Sequence, residues 1–173
     1  MDLEQRCQPI ELILSDVDGV LTDGRVIYDN QGIETKSFFI RDGMGIKLWQ
    51  KAGYRFGVLT QRSSQIVKLR SAELDIAIVR QGTQDKLATL GELLEDLGLT
   101  MAQTCYLGDD LPDLPVVRAV GLGVAVADAC PELRDAAAYV TQTPGGFGAV
   151  RETIELILKH QGRWEDVIHP YLA

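Results

Sequence analysis

At 173 residues and 46% hydrophobic, the chain has enough apolar content for one folded domain, residues 1–173, and no polar low-complexity tract that would suggest disorder. A net charge of −8 argues against a nucleic-acid partner and against an anionic membrane surface. It also requires that any anionic substrate find a locally positive pocket.

The opening segment, Met1–Ile10, is polar and lacks the apolar core of a signal peptide. The longest apolar stretch, Ala119–Ala127, is too short to span a bilayer. Cys7, Cys105 and Cys130 are far apart and odd in number, which suits reduced thiols, so a cytoplasmic protein is expected. Strand-like runs at Ile10–Ser15, Arg55–Thr60, Ile76–Val79, Thr104–Leu107 and Gly121–Ala125 alternate with helical spacing at Gly43–Lys51, Ser63–Glu73, Asp85–Leu97 and Leu114–Ala119. That alternation predicts an α/β fold, a Rossmann-like parallel sheet flanked by helices. Gly98 marks a helix stop and Pro131 an early helical position. A last helix is expected from about Phe147 to His160, with Glu152 and Glu155 opposite its apolar stripe. Arg25–Tyr28 and Ile33–Ile40 flank Asp29-Asn30-Gln31-Gly32, which predicts an inserted hairpin. Its Ser37–Ile40 stretch is expected to expose apolar side chains to a partner subunit.

The first strand ends in Asp16-Val17-Asp18-Gly19, followed by Val20-Leu21-Thr22-Asp23-Gly24. Carboxylates at i and i+2 point the same way, at the strand end where ligands of open α/β sheets bind. Two neighbouring carboxylates need a cation or a shared proton, and Mg²⁺ suits such hard oxygen ligands. A calcium loop would need its glycine at the sixth position, and here it is the fourth; a plain acidic turn is the alternative reading. Thr60 closes the second strand, Lys86 opens a helix after Gly82-Thr83-Gln84-Asp85, and Gly108-Asp109-Asp110-Leu111-Pro112-Asp113 follows the fourth strand. Each alone has a bland reading, as a strand-ending threonine, a solvated lysine and a helix cap.

In this order the four features resemble the haloacid dehalogenase superfamily across nearly the whole chain. The resemblance implies a Rossmann-like domain, Asp16 as nucleophile, and Asp18 as the acid and base of phosphoryl transfer. Mg²⁺ would be held by Asp16, the Asp18 main-chain carbonyl and Asp109. Thr60 and Lys86 would stabilise the phosphoryl oxygens, while Asp110 and Asp113 orient the metal's surroundings. The hairpin and one helix consume the span from Asp18 to Thr60, and a helix and a strand consume that from Thr60 to Lys86, so no cap domain fits.

Asp16–Gly24, the hairpin, Arg41–Ile46, Gln81–Lys86, Gly108–Asp113 and Gly145–Glu152 further resemble the capless family of 3-deoxy-D-manno-octulosonate 8-phosphate phosphatases. That likeness implies a lipopolysaccharide-sugar enzyme and a phosphorylated sugar acid as substrate. It also implies a homotetramer built through the Arg25–Ile40 hairpin, with a neighbour helping to close each site. Substrate positions carried over are Asp18, Phe39, Ile40, Arg41, Asp42, Gly43, Lys47, Arg62, Arg70 and Lys86. Arg62 is the candidate for the sugar carboxylate, since its planar fork suits one. Arg70 and Lys47 have a plain alternative as solvated helix residues, and Gly145–Gly148 either lines a site or is a simple loop before the last helix. The chain departs from the family at Gln61, where glycine is usual in a tight turn, and at Lys47, where arginine is common. Rival readings are a phosphatase for a nine-carbon sugar acid 9-phosphate and a non-catalytic binding module. The module would be expected to have lost Asp16, Asp18 or Lys86.

Overall fold

A computed structural model describes residues 1–172. In chain order, α1 (Leu3–Cys7) leads to β1 (Leu12–Ser15), then β2 (Ile27–Tyr28), β3 (Glu34–Thr35) and α2 (Ile40–Lys51). The middle of the chain runs β4 (Arg55–Leu59), α3 (Gln65–Glu73), β5 (Ile78–Arg80), α4 (Lys86–Leu97) and β6 (Thr104–Gly108). It closes with α5 (Leu114–Ala119), β7 (Leu122–Ala125), α6 (Pro131–Ala136), β8 (Tyr139–Val140), α7 (Ala149–His160) and α8 (Trp164–Ile168).

The main sheet has the order β5-β4-β1-β6-β7-β8, and every pairing in it is parallel. Strand β1 lies at its centre and is buried at each position, which is why its sequence is a run rather than an alternation. Helices flank the sheet: α2 packs on β4 and α7, and α5 on β6, β7 and α4. Register then fixes the site. Ser15 stands opposite Val58 of β4 and Leu107 of β6, so the carboxyl ends of three strands align. Asp16, Thr60 and Asp109 therefore leave the sheet at one edge. Helix α4 starts beside them, because the Asp85 side chain accepts from Ala88 N at 2.9 Å and places Lys86 in the first turn. The helix stops at Gly98, in the left-handed conformation at φ 65°.

Strands β2 and β3 form a separate antiparallel ribbon, with Ile27 opposite Thr35 and Tyr28 opposite Glu34. Asp29 closes its turn, accepting from Gln31 N and Ile33 N at 2.8 Å each.

Several boundaries differ from those the sequence predicts. The second hairpin arm ends at Thr35, and Ile40, placed on the arm by pattern, is already the first residue of α2. Phe38 and Phe39 are half-buried, Phe38 beneath the Arg70 guanidinium, so of the apolar residues in Ser37–Ile40 only Ile40 is exposed. The exposed apolar residues of the hairpin are instead Val26, Ile27, Tyr28 and Ile33. The last helix begins at Ala149, after Gly148 at φ 115°. Strand β8 and helices α1 and α8 carry no expectation from the pattern, since two to five residues show no periodicity. For α1 a signal exists: Asp2 and Gln5 form a reciprocal capping box.

Candidate active site

The loop after β1 folds on the Val17 carbonyl, which accepts from Leu21 N at 2.9 Å and Thr22 N at 3.0 Å. Gly19, at φ 87°, allows this turn, and a Cβ there would lie 2.0 Å from Asp109 Oδ2. Gly145 and Gly146 brace the same loop from behind. Gly146 N donates to Val20 O at 2.8 Å, and a Cβ on Gly145 would stand 1.7 Å from Gly19 O. The glycine-rich segment thus packs on its own chain's Asp16–Gly24 loop.

Asp16 Oδ1 accepts from Val17 N at 2.6 Å, and Oδ2 accepts from Lys86 Nζ at 2.7 Å. Lys86 also donates to Asp113 Oδ1 at 2.5 Å and to the Tyr106 hydroxyl at 3.1 Å. Tyr106 in turn donates to Asp113 Oδ1 at 2.6 Å. Asp113 Oδ2 takes the Asp109 and Asp110 amides at 3.0 and 3.4 Å. Both Asp113 oxygens are therefore occupied by protein donors, which gives the residue an orienting place.

Oxygens of Asp16, Asp109 and Asp113 lie within 4.8 Å of one another. Burial pushes the Asp109 carboxyl up to about 8, reinforced by Asp113, Asp16 and Asp110. Burial and then Asp113 also raise Asp16, against the pull of Lys86 and Thr60. Burial opposes the charge on Lys86, but Asp16 and Asp113 outweigh it and hold the ammonium firmly protonated. So much negative charge around one cation is what a divalent metal would relieve.

Asp16, Asp18, Gly24, Thr60, Gln61, Arg62, Asp109, Asp110, Pro112 and Asp113 line an open cleft of about 220 Å³. Gln61 makes its turn without a positive φ, so the missing glycine costs no backbone strain. Of the predicted substrate residues, Asp18 and Arg62 line this cleft, while Lys86 is buried and touches it only through Asp16 and Asp113. The others do not line this cleft. Phe39 and Arg41 line a separate groove of about 690 Å³ along α7, and Ile40 points to solvent. Lys47 pairs with Asp75, and Arg70 pairs with Glu73 at 2.8 Å. Asp42 is buried with its Oδ1 accepting from Arg151 N at 2.8 Å, and Gly43 packs against Arg70. Both Asp42 and Gly43 are buried in this chain and lie away from the cleft.

Sequence reasoning missed Glu34, Lys36, Ser64 and Tyr106. Lys36 Nζ donates to Asp18 Oδ1 and lies 3.3 Å from Glu34 Oε1. Arg62 donates to Glu34 Oε1 at 2.7 Å, and Ser64 Oγ to Glu34 Oε2 at 3.0 Å. A signal was present: Glu34 and Lys36, at i and i+2 on an extended arm, share one face.

A model of haloacid dehalogenase-like hydrolases matches residues 59–153. The chain is also 42% identical to the 3-deoxy-D-manno-octulosonate 8-phosphate phosphatase KdsC of Escherichia coli, over 95% of this chain and 88% of that protein.

The chain belongs to the haloacid dehalogenase-like hydrolases.

Solved structures of this hydrolase family agree in shape. A probable YrbI family phosphatase from Pseudomonas syringae superimposes with a TM-score of 0.98 at 47% identity, covering 99% of this chain and 98% of its own. The 3-deoxy-D-manno-octulosonate 8-phosphate phosphatase of Moraxella catarrhalis, solved with magnesium, phosphate and the sugar acid, gives 0.95 at 42% identity and covers 97% of each chain. Within a hydrolase of this family, the Lys86–Asp16 pair and the acidic cluster stand at the carboxyl edge of the sheet, where its chemistry would be expected.

Proposed function

We propose that this chain, as one catalytic domain, is a Mg²⁺-dependent phosphatase that hydrolyses 3-deoxy-D-manno-octulosonate 8-phosphate for lipopolysaccharide synthesis in the cytoplasm. The observation that carries the reading is Asp16, held by Lys86 at 2.7 Å, clustered with Asp109 and Asp113 at the carboxyl edge of the sheet. The identity to the Escherichia coli and Moraxella catarrhalis enzymes supports the substrate. Among the described residues no helix is long and apolar enough to cross a membrane.

The donor set fits Mg²⁺: hard carboxylate oxygens and a group whose pKa of about 8 reports an unbalanced negative site. Asp16, Asp109 and the Asp18 main-chain carbonyl would hold the ion. Once bound, Mg²⁺ would offset the carboxylates and spread the charge of the transferring group.

Asp16 attacks phosphorus through a carboxylate oxygen as the bond to the sugar oxygen breaks, leaving an acyl-phosphate on Asp16. Asp18 gives its proton to that departing oxygen. In the second half Asp18 takes a proton from water as the water attacks the acyl-phosphate and releases phosphate. Lys86 and Thr60 face the equatorial oxygens. Arg62 Nη1 makes no hydrogen bond among the described residues and stands 3.7 Å from Asp18 Oδ2, a donor available to the sugar carboxylate. The cleft is small for an eight-carbon sugar acid, so the sugar would extend past its mouth. A neighbouring subunit of a tetramer, joined through the hairpin, would meet it there and bring Phe39, Ile40, Arg41, Lys47 or Arg70 to the sugar.

The test is phosphate release from 3-deoxy-D-manno-octulosonate 8-phosphate with Mg²⁺, beside Asp16→Asn. Metal-dependent turnover, lost by on the order of 10³-fold or more in the variant, is expected. Turnover surviving in the variant would remove Asp16 from the chemistry, and activity confined to another phosphate ester would replace the substrate.

A further inference from the structure

Lys36 is the anomaly of the hairpin. It lies just beyond β3, on a ribbon that exposes Val26, Ile27, Tyr28 and Ile33, yet its own side chain is 1% exposed. It bonds Asp18 Oδ1 and lies 3.3 Å from Glu34 Oε1. Glu34 is shared: its Oε1 also accepts from Arg62 at 2.7 Å, and its Oε2 accepts from Ser64 Oγ at 3.0 Å. Arg62 closes the ring, with Nη1 at 3.7 Å from Asp18 Oδ2. Two anions and two cations therefore alternate around four side chains. Asp18 and Arg62 line the cleft, whereas Lys36 and Glu34 do not. Lys36 stands behind the carboxylate, on the oxygen opposite to the one near Arg62.

We propose that Lys36 and Glu34 are positioning residues for the reaction: Lys36 fixes the rotamer of Asp18 so that Oδ2 meets the leaving oxygen, and Glu34 holds Lys36 and Arg62 in register. This rests on the phosphatase reading above. A carboxylate on a freely rotating side chain would spend much of its time misaimed, and proton transfer demands hydrogen-bond reach. The ring also ties the ribbon to the loop after β4, so the hairpin belongs to the catalytic apparatus as well as to assembly.

Lys36→Met removes the contact to Asp18, Lys36→Arg keeps a cation, and Glu34→Gln leaves shape while weakening both of its ion pairs. The measurement is kcat and KM of each variant on two esters, with Mg²⁺. The sugar acid 8-phosphate has a poor leaving group that needs a proton, and 4-nitrophenyl phosphate has one that does not. Proton transfer is worth about 10²–10⁴-fold, so Lys36→Met should lose on the order of 10²-fold in kcat on the sugar ester. On the aryl ester it should lose less than about 10-fold, with KM little changed on either. Lys36→Arg should restore part of the loss, and Glu34→Gln should show the same selectivity in weaker form. Equal losses on both esters would make Lys36 merely structural, and a change confined to KM would make it a substrate contact. Either overturns the proposal, as does an unaltered kcat. Should Lys36→Met fail to fold, Glu34→Gln and Lys36→Arg decide through the same ratio. A wild type inactive on the sugar acid would overturn the substrate reading instead, and the ratio between any alkyl phosphate it does cleave and the aryl one would still judge Lys36.

Discussion

Gly19 and Asp109 share a space that admits no further atom. A methyl at residue 19 would lie 2.0 Å from the Asp109 carboxylate, on a backbone at φ 87° that alanine adopts poorly. Gly19→Ala is therefore expected to lower kcat by on the order of 10²-fold with the fold retained, as phosphate release and circular dichroism would establish. Asp109→Asn keeps the shape but removes a charge from the proposed metal site. The Mg²⁺ concentration for half-maximal rate should rise by about 10–100-fold or more, and calorimetric titration of Mg²⁺ should show the same weakening. In a chain of net charge −8 local cations offset the carboxylates of the site: Lys86 at Asp16, Arg62 at Asp18 on the cleft side, and Lys36 at Asp18 from behind. Lys86 and Arg62 could be picked out from their motifs. For Lys36 the i, i+2 spacing from Glu34 gives a shared face, but only the folded ribbon brings that face to Asp18.

Helices α2 and α7 meet at a buried carboxyl. Asp42 accepts from Arg151 N at the start of α7, its Oδ2 has no partner among the described residues, and burial pushes its pKa from 3.8 to about 6. A raised carboxyl is bound more tightly to its proton in the folded state, so this group favours folding below pH 4 and loses that contribution as pH rises through 6. The change is roughly 3 kcal/mol at most across the window. Urea unfolding of Asp42→Asn against the parent should show that slope disappear. Glu152 works with the opposite sign. Despite burial, Thr143, Gln142 and Tyr139 donate to it and hold it below its ordinary value of 4.5. Its stabilisation is present above pH 4.5 and lost on acidification. Glu152→Ala should lower the unfolding free energy at pH 7 by about 1–3 kcal/mol, with the gap to wild type narrowing below pH 4.5. By pattern Glu152 lies opposite the apolar stripe of α7, and so it does. That the same carboxylate also anchors β8 was invisible, because β8 is two residues long and its contacts are non-local.

An isolated two-stranded ribbon is marginal in water, and β2–β3 displays Val26, Ile27, Tyr28 and Ile33 to solvent. In the proposed tetramer these side chains are covered. Sedimentation of the parent should give four times the 19.0 kDa of one chain, and Ile27→Lys with Ile33→Lys should dissociate it. Because Glu34 and Lys36 ride on the same ribbon, kcat should fall with assembly. A dissociated variant of full activity would separate the two.

The sequence alone determined the parallel α/β sheet, the place of Asp16, Asp18, Thr60, Lys86 and Asp109 at its carboxyl edge, and the hairpin between β1 and α2. Those features follow from short-range rules: runs of buried strand residues, caps, turn residues and motif spacing. Tertiary structure alone decided that Asp42 caps a helix, that Arg70 covers Phe38, that the glycine-rich loop braces Gly19, and that Lys36 reaches Asp18. Each of these is a contact between segments distant in the chain, or a choice of side-chain direction. Local periodicity carries no information about either.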